Sequence, residues 1–171
     1  RHHPHTSWLI QSKLMAENRL RQEPPVIKPD FSAAVKLYRE GSLEAAETEL
    51  INYFERGGAD KEAFLLQNAI SFQQKDYQEA VRHLENALKH HPQDFLFLYS
   101  MGNAWLRMEQ YQNAIQWFEK IVQTDPSRKD VYKNLGLAYR KAGNRDESIK
   151  NYRRAVELDP EDQSVLFLLG Y

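Results

Sequence analysis

Three prolines recur at a fixed interval along the chain: Pro92, Pro126 and Pro160 lie 34 residues apart. Each proline follows one amphipathic helix pattern and precedes another, as expected of a residue that cannot continue a helix. A single unit of this length cannot bury its own apolar face, so successive units must stack to form a core. The spacing therefore predicts an array of helix pairs.

Equivalent positions of the 34-residue frame carry the same kind of residue. When Pro160 is position 32, a large residue stands at position 4, Leu-Gly at 7 and 8, aromatic residues at 11 and 24, and alanine at 27: Tyr132, Leu135, Gly136, Tyr139, Tyr152 and Ala155. The small residues let the two helices of a pair approach closely. The frame predicts four repeats, at about 27–60, 61–94, 95–128 and 129–162, and a partial fifth over 163–171. Residues 1–26 are predicted to form an N-terminal arm with a proline-containing linker.

This pattern resembles the tetratricopeptide repeat (TPR) family. The resemblance implies an all-α fold, a right-handed superhelical solenoid of antiparallel helix pairs. It also implies a protein-protein interaction scaffold or adaptor that binds a partner in its concave groove and performs no chemistry of its own. Asn68 departs from the pattern, because Gly or Ala is usual at its position.

The ends of the predicted helices carry local signals. Gly143 can adopt the left-handed conformation that ends a first helix. Asn144 followed by Glu147 is typical of an N-cap with a capping box, and Asp76 with Glu79 repeats this pair one helix pair earlier.

In the TPR family the first helix of each repeat lines the concave groove. Carried over to this chain, the groove is mostly apolar and aromatic at its N-terminal end and basic at its C-terminal end. An apolar groove favours an amphipathic helix or an extended apolar peptide as the partner. The predicted groove residues are Phe31, Val35, Tyr38, Leu65, Leu66, Ala69, Phe72, Leu96, Tyr99, Asn103, Leu106, Lys133, Leu137 and Arg140. Arg39, Arg107, Asn134 and Lys141 also fall at groove positions of the family pattern.

The chain has more large apolar residues than the predicted core positions account for. The residues predicted to lie in the core are Phe64, Leu98, Trp105, Tyr132 and Tyr152. Residues 95–101 are apolar on all sides of the predicted helix, so we expect several of them to face solvent on the concave side. A bound segment would cover them, and tight packing within the array is the alternative.

A second reading is that the chain associates with itself. Residues 7–20 are more apolar than a solvated tail, and we predict that Trp8, Leu9 and Leu14 dock into the chain's own groove or onto another copy. The alternative is that this segment belongs to an upstream element. The apolar edge at 164–171 is a further candidate for contact with another copy.

Repeat four is rich in basic residues. Between residues 128 and 154 it carries nine Lys and Arg against three Asp and Glu. An acidic peptide, RNA or anionic lipid, and a simply solvated face are the open readings. The aromatic residues that base stacking needs fall at core positions, which argues against RNA.

The composition argues against several other functions. With 23 Lys and Arg against 24 Asp and Glu, the formal net charge is -1, and we predict no nucleic-acid partner. The chain has no cysteine and no Gly-rich phosphate loop, so we predict no enzyme activity, no cofactor and no metal site. His83 and His90 share one predicted helix, but a position near the helix end explains His90. No serine can be placed beside a histidine from the sequence alone.

The sequence says little about the compartment. No apolar run reaches the roughly 18 residues of a membrane-spanning helix, so no membrane span is predicted. The absence of cysteine excludes disulfides and is compatible with the cytoplasm, which we favour, or with a periplasm.

Overall fold

A computed structural model describes residues 10–17, 19 and 27–170. Contacts divide the chain into residues 1–30 and residues 31–171. Residues 10–17 are helical, and no strand occurs among the residues that the structure describes. The second unit contains α1 (Ser32–Arg39), α2 (Leu43–Glu55), α3 (Lys61–Gln73), α4 (Tyr77–His90), α5 (Phe95–Arg107), α6 (Tyr111–Thr124), α7 (Lys129–Lys141), α8 (Arg145–Leu158) and α9 (Gln163–Leu169).

The helices of the second unit stack in chain order. Each helix contacts the next one along the chain, which gives the pairs α1/α2, α3/α4, α5/α6 and α7/α8. The first helices also contact one another across repeats, α3 with α5 and α5 with α7. This arrangement is an all-α solenoid of helix pairs, so the predicted fold is confirmed.

Two glycines allow the helices of a pair to approach. A methyl group added at Gly102 would lie 2.4 Å from the Phe118 ring, and one added at Gly136 would lie 2.5 Å from the Tyr152 ring. Both rings are almost completely buried. The predicted close approach of the two helices at these small residues is thus observed, and glycine at this position makes room for the aromatic ring of the second helix.

The predicted helix caps are confirmed, but the predicted capping boxes are wrong. Asp76 Oδ1 accepts a hydrogen bond from Glu79 N, and Asn144 Oδ1 accepts one from Glu147 N. The reciprocal bond does not form, because Asp76 N donates to the carbonyl of the preceding helix at Ser71, as Asn144 N does to its own preceding helix. The side chain of Glu79 is thus free for other contacts.

Gly143 takes the left-handed conformation predicted for it. Its φ is +85°, in the region where glycine is favoured. The chain can therefore leave α7 and begin α8 within a few residues.

Neighbouring repeats share the hydrophobic core. Two of the five predicted core residues are only partly buried. Phe64, Leu98 and Tyr152 are buried, whereas Trp105 and Tyr132 are half-buried. Trp105 packs against two core clusters, one around Phe64 and one around Leu98, so it spans the junction between repeats. Its partial exposure reflects this position at the edge of both clusters.

Most of the apolar surplus in residues 95–101 is absorbed by packing. Phe97, Leu98 and Met101 are buried, and the rings of Phe95 and Tyr99 stack with centroids 5.4 Å apart. Leu96 alone in this segment is an exposed apolar residue, at 41%. The prediction that several of these residues face solvent is therefore met fully by Leu96 and in part by the half-buried Phe95 and Tyr99, because α5 packs against α3, α4, α6 and α7.

Candidate functional site

The predicted groove residues lie on the first helices of the repeats, α1, α3, α5 and α7, and Phe31 lies at the start of α1. We call the surface formed by these residues the first-helix row. None of these residues is buried: Leu96 and Arg140 are exposed, and the others are half-buried. Their inner atoms contact the core, as Leu66 does against the cluster around Leu50 and Leu65 against the cluster around Phe64. The row therefore presents apolar and aromatic groups that are partly open to solvent.

Hydrogen bonds between neighbouring first helices hold part of this row in register. Asn134 Nδ2 donates to the Tyr99 hydroxyl and to Asn103 Oδ1, both at 2.9 Å. One repeat earlier, Asn68 Nδ2 donates to Ser100 Oγ at 3.1 Å. Burial raises the pKa of Tyr99, so its hydroxyl stays protonated at neutral pH.

A cavity of about 390 Å³ opens beside these hydrogen bonds, between α5 and α7. It contains three of the predicted groove residues, Asn103, Leu106 and Leu137. Asn134, Arg107 and Lys141 also line it, and all three fall at groove positions of the family pattern. The sequence did not single out Glu109 and Tyr111, which come from the turn after α5 and the start of α6. Its lining residues are Asn103, Leu106, Arg107, Glu109, Tyr111, Asn134, Leu137 and Lys141.

Two cations at this cavity lack an acidic partner in the described part of the chain. Neither Arg107 nor Lys141 has a carboxylate within ion-pair distance among residues 10–17, 19 and 27–170. Lys133, by contrast, pairs with Asp162 at 2.9 Å, so its charge is already compensated. The positive charge available at this end of the row therefore comes from Arg107 and Lys141 more than from Lys133.

Other basic residues of repeat four are also compensated. Arg128 pairs with Asp125, Lys129 with Asp159 and Arg154 with Glu157. The basic excess predicted from the sequence is thus reduced by acids that lie just before α7, at the end of α8 and directly after α8. Such exposed pairs contribute little to stability.

The pair between Lys133 and Asp162 predicts a dependence of stability on acid. The Ser164 hydroxyl and the Lys133 ammonium donate to this carboxylate and hold the pKa of Asp162 well below its usual range. Because the folded-state pKa is lower than the unfolded one, the stabilisation is present above about pH 4 and is lost as the pH falls. The melting temperature should therefore fall less between about pH 5 and pH 2 for Asp162→Asn than for the wild type.

The matched control is Asp146→Asn, which replaces an exposed aspartate in the first turn of α8. Its melting temperature should fall with decreasing pH by the same amount as that of the wild type. Superimposable profiles for wild type and Asp162→Asn would show that this carboxylate does not contribute as predicted.

The residues predicted to mediate self-docking fall mostly outside the described part of the chain. Trp8 and Leu9 lie outside the described residues. Leu14 lies in the helical segment 10–17 and is 55% exposed. Their proposed role in docking stays a prediction.

A cluster of polar side chains was missed by the sequence reasoning. Ser71 Oγ lies 3.1 Å from His83 Nδ1, and His83 Nε2 lies 3.0 Å from Glu79 Oε1. One carboxylate oxygen of Glu47 also lies within 4.8 Å of the donor atoms of His83 and Glu79. The i, i+4 spacing of Glu79 and His83 was the available signal; the contribution of Glu47, from another repeat, depends on the stacking geometry.

No helix in the described part of the chain combines the length and the apolar character needed to cross a membrane.

Comparisons with known proteins identify the same type of repeat. Family models described as "Tetratricopeptide repeat" match residues 71–129 and 130–162, which together are more than half of the chain. No curated protein sequence matches the chain.

Several solved structures share the fold. The structure of MamA from residue 41 to its end, from Desulfovibrio magneticus RS-1, is 29% identical, with a TM-score of 0.73 over 81% of this chain and 78% of that chain. A crystal structure of MamA is 18% identical, with a TM-score of 0.74 over 80% of each chain. YrrB, described as "a TPR protein with an unusual peptide-binding site", is 16% identical, with a TM-score of 0.70 over 80% of this chain and 70% of that chain.

Proposed function

Because this chain belongs to the tetratricopeptide repeat family, we propose that its protein-interaction role consists of binding a peptide or an amphipathic helix along the first-helix row. The observation that carries the proposal is the cavity between α5 and α7, where Leu106 and Leu137 lie beside two cations that have no acidic partner among the described residues. A scaffold of this kind needs no cofactor. Its partner is another polypeptide.

The lining of the cavity indicates the kind of peptide that fits. A large apolar side chain can be buried between Leu106 and Leu137, at roughly 25 cal/mol per Å² of apolar surface removed from water. An acidic group beside that side chain would meet Arg107 and Lys141, which would orient the peptide and speed its encounter. The partner segment therefore carries an apolar anchor next to one or more acidic residues.

The amide groups of Asn103 and Asn134 fix the shape of the site. Because Asn134 Nδ2 bridges to Asn103 Oδ1 and to the Tyr99 hydroxyl, α5 and α7 are held together before a partner arrives. A preorganised site loses less conformational entropy on binding. YrrB, which shares the fold and is described as having a peptide-binding site, is consistent with this use of the architecture.

The same row extends toward the N-terminal repeats with a more apolar character. Phe31, Tyr38 and Leu66 are half-buried against one core cluster, and Leu65 and Phe72 against the next. A partner that continued along the row would meet aromatic and aliphatic groups there. The polarity of the row thus favours a peptide with its acidic end over α5 and α7.

Proteins built on TPR scaffolds are typically non-catalytic, and the contacts of Ser71 agree with this role. The Ser71, His83 and Glu79 side chains form a chain of hydrogen bonds, but Ser71 has no exposed surface. A substrate cannot reach a hydroxyl that is enclosed in the core. We therefore propose binding, without catalysis, as the activity.

Binding of synthetic peptides tests the proposal. Two fluorescein-labelled pools are needed, each with a central leucine, flanked in one pool by Asp and Glu and in the other by Lys. The wild type should bind the acidic pool more tightly, and Leu106→Asp should weaken that binding at least tenfold, since loss of one buried leucine corresponds to about 1.5 to 3 kcal/mol. Fluorescence anisotropy measures both effects.

The matched control is Ile51→Asp. Ile51 is 46% exposed on the second helix α2, away from the first-helix row, so this variant introduces the same charge without touching the site. Equal weakening by the two variants, or equal binding of the two pools, would contradict the proposal.

Self-association is a second candidate because three apolar side chains of residues 10–17 are strongly exposed. Ile10, Leu14 and Met15 are 59%, 55% and 73% exposed. We propose that this segment docks on another copy if the protein is oligomeric. Light scattering of the full chain and of Leu14→Asp separates the candidates, because a peptide-binding adaptor stays monomeric in both cases.

A further inference from the structure

Three side chains with metal-binding atoms converge on the second-helix side of the array. Glu47 comes from α2, and Glu79 and His83 come from α4, the second helix of the next repeat. One ligand atom from each lies within 4.8 Å of the other two, and all three residues are half-buried. They belong to different repeats and lie outside the first-helix row.

The imidazole of His83 is oriented by a buried hydroxyl. Ser71 has no exposed surface, and its Oγ donates to the Gln67 carbonyl at 3.3 Å. That hydroxyl can then accept a hydrogen bond from Nδ1 of His83, 3.1 Å away. The tautomer with its proton on Nδ1 directs the lone pair of Nε2 toward Glu79 and Glu47.

Without a cation, an Nε2–H of His83 can donate to Glu79 Oε1, 3.0 Å away. A cation bound here would take the place of that proton, with the second carboxylate of Glu47 nearby. A cation between these atoms would satisfy all three acceptors at once.

We propose that Glu47, Glu79 and His83 bind a divalent transition-metal cation of the Zn²⁺ type and thereby tie α2 to α4. Imidazole and carboxylate are ligands that Zn²⁺ accepts, with three protein ligands leaving one position for water. Donor atoms around one Zn²⁺ lie roughly 3.3 Å apart, so the separation of Nε2 and Oε1 already suits it. The Glu47 carboxylate needs only a small side-chain movement.

The ion pair between Arg82 and Glu79 must break when the cation binds. The guanidinium of Arg82 contacts Glu79, the carboxylate that would become a ligand. Arg82 is 72% exposed, so it can turn into solvent, and an exposed ion pair of this kind contributes little. The Ser71 hydroxyl would remain as the group that orients the ligating histidine, a common arrangement at metal sites.

Titration of the full chain with Zn²⁺ tests the proposal. Isothermal titration calorimetry should be done in a background with His2→Gln, His3→Gln and His5→Gln, because those residues could bind metal independently. We expect one site in this background, weakened more than tenfold by His83→Gln or Glu47→Gln. Ser71→Ala should weaken it about tenfold through loss of the orienting hydrogen bond.

Two controls make the result specific. His90→Gln and Glu85→Gln replace exposed residues of the same helix and should leave the Zn²⁺ affinity unchanged. Addition of Zn²⁺ should raise the melting temperature of the background protein and not that of Glu47→Gln, which also shows that the variant is folded. Absence of Zn²⁺ binding in this background, or full affinity in His83→Gln or Glu47→Gln, would overturn the proposal.

Discussion

Gly102→Ala is expected to lower the free energy of unfolding by about 2 kcal/mol, because its methyl group would enter the space of the Phe118 ring. The added carbon would lie 2.4 Å from Phe118 Cε1, far inside contact distance. Phe118 has no exposed surface, so the ring cannot move into solvent. Urea denaturation measures the loss as a lower midpoint with an unchanged slope.

The partner substitution tests the same contact from the other helix. Phe118→Ala should cost about 4 kcal/mol, from lost burial and the cavity left behind. In the double variant the methyl group added at Gly102 no longer meets the ring. The combined loss should therefore fall short of the summed single losses by about 1 kcal/mol or more.

A distant pair provides the control for this cycle. Gly102→Ala combined with Ile51→Ala should be additive, since Ile51 is an exposed residue of α2, in another repeat. Additivity in the Gly102 and Phe118 cycle as well would show that glycine at this position does not serve the packing of the ring.

Trp105→Ala is expected to destabilise the protein by about 3 kcal/mol, at the lower end of the range for aromatic truncations because the side chain is half-buried. Its ring packs against the clusters around Phe64 and Leu98, so its loss opens the junction between two repeats. The indole Nε1 has no hydrogen-bond partner among the described residues, so the loss comes from packing. Urea denaturation again provides the measurement.

Phe167→Ala is the comparison for this prediction. It removes another aromatic side chain, but one that is 80% exposed on α9, and should change stability by no more than about 0.5 kcal/mol. Equal effects of the two substitutions would contradict the position of Trp105 between core clusters.

The sequence predicted the features that depend on local spacing. The 34-residue interval between prolines placed the helix pairs, and the small residue at Gly136 was predicted to let the two helices approach, as observed where it faces the Tyr152 ring. Asp76 and Asn144 were recognised as caps because a cap acts within three residues. These signals lie within one helix pair.

Contacts between repeats could not be predicted in the same way. Lys133 was assigned to the groove, but its partner Asp162 is 29 residues away. The bonds from Asn134 to the previous repeat and the approach of Glu47 to His83 depend equally on how far one pair turns relative to the next. The 34-residue period predicts that the repeats stack, but the contacts between neighbouring repeats also depend on the side-chain rotamers.

The most direct test of the central claim is to locate a bound peptide by side-chain amide NMR. With the acidic, leucine-centred pool added, the Nδ2 resonances of Asn103 and Asn134 should shift, because both amides line the cavity between α5 and α7. Those of Asn86, exposed on the second helix α4, should stay in place. Shifts at Asn86 with none at Asn103 and Asn134 would place the partner on the opposite side of the array and contradict binding along the first-helix row.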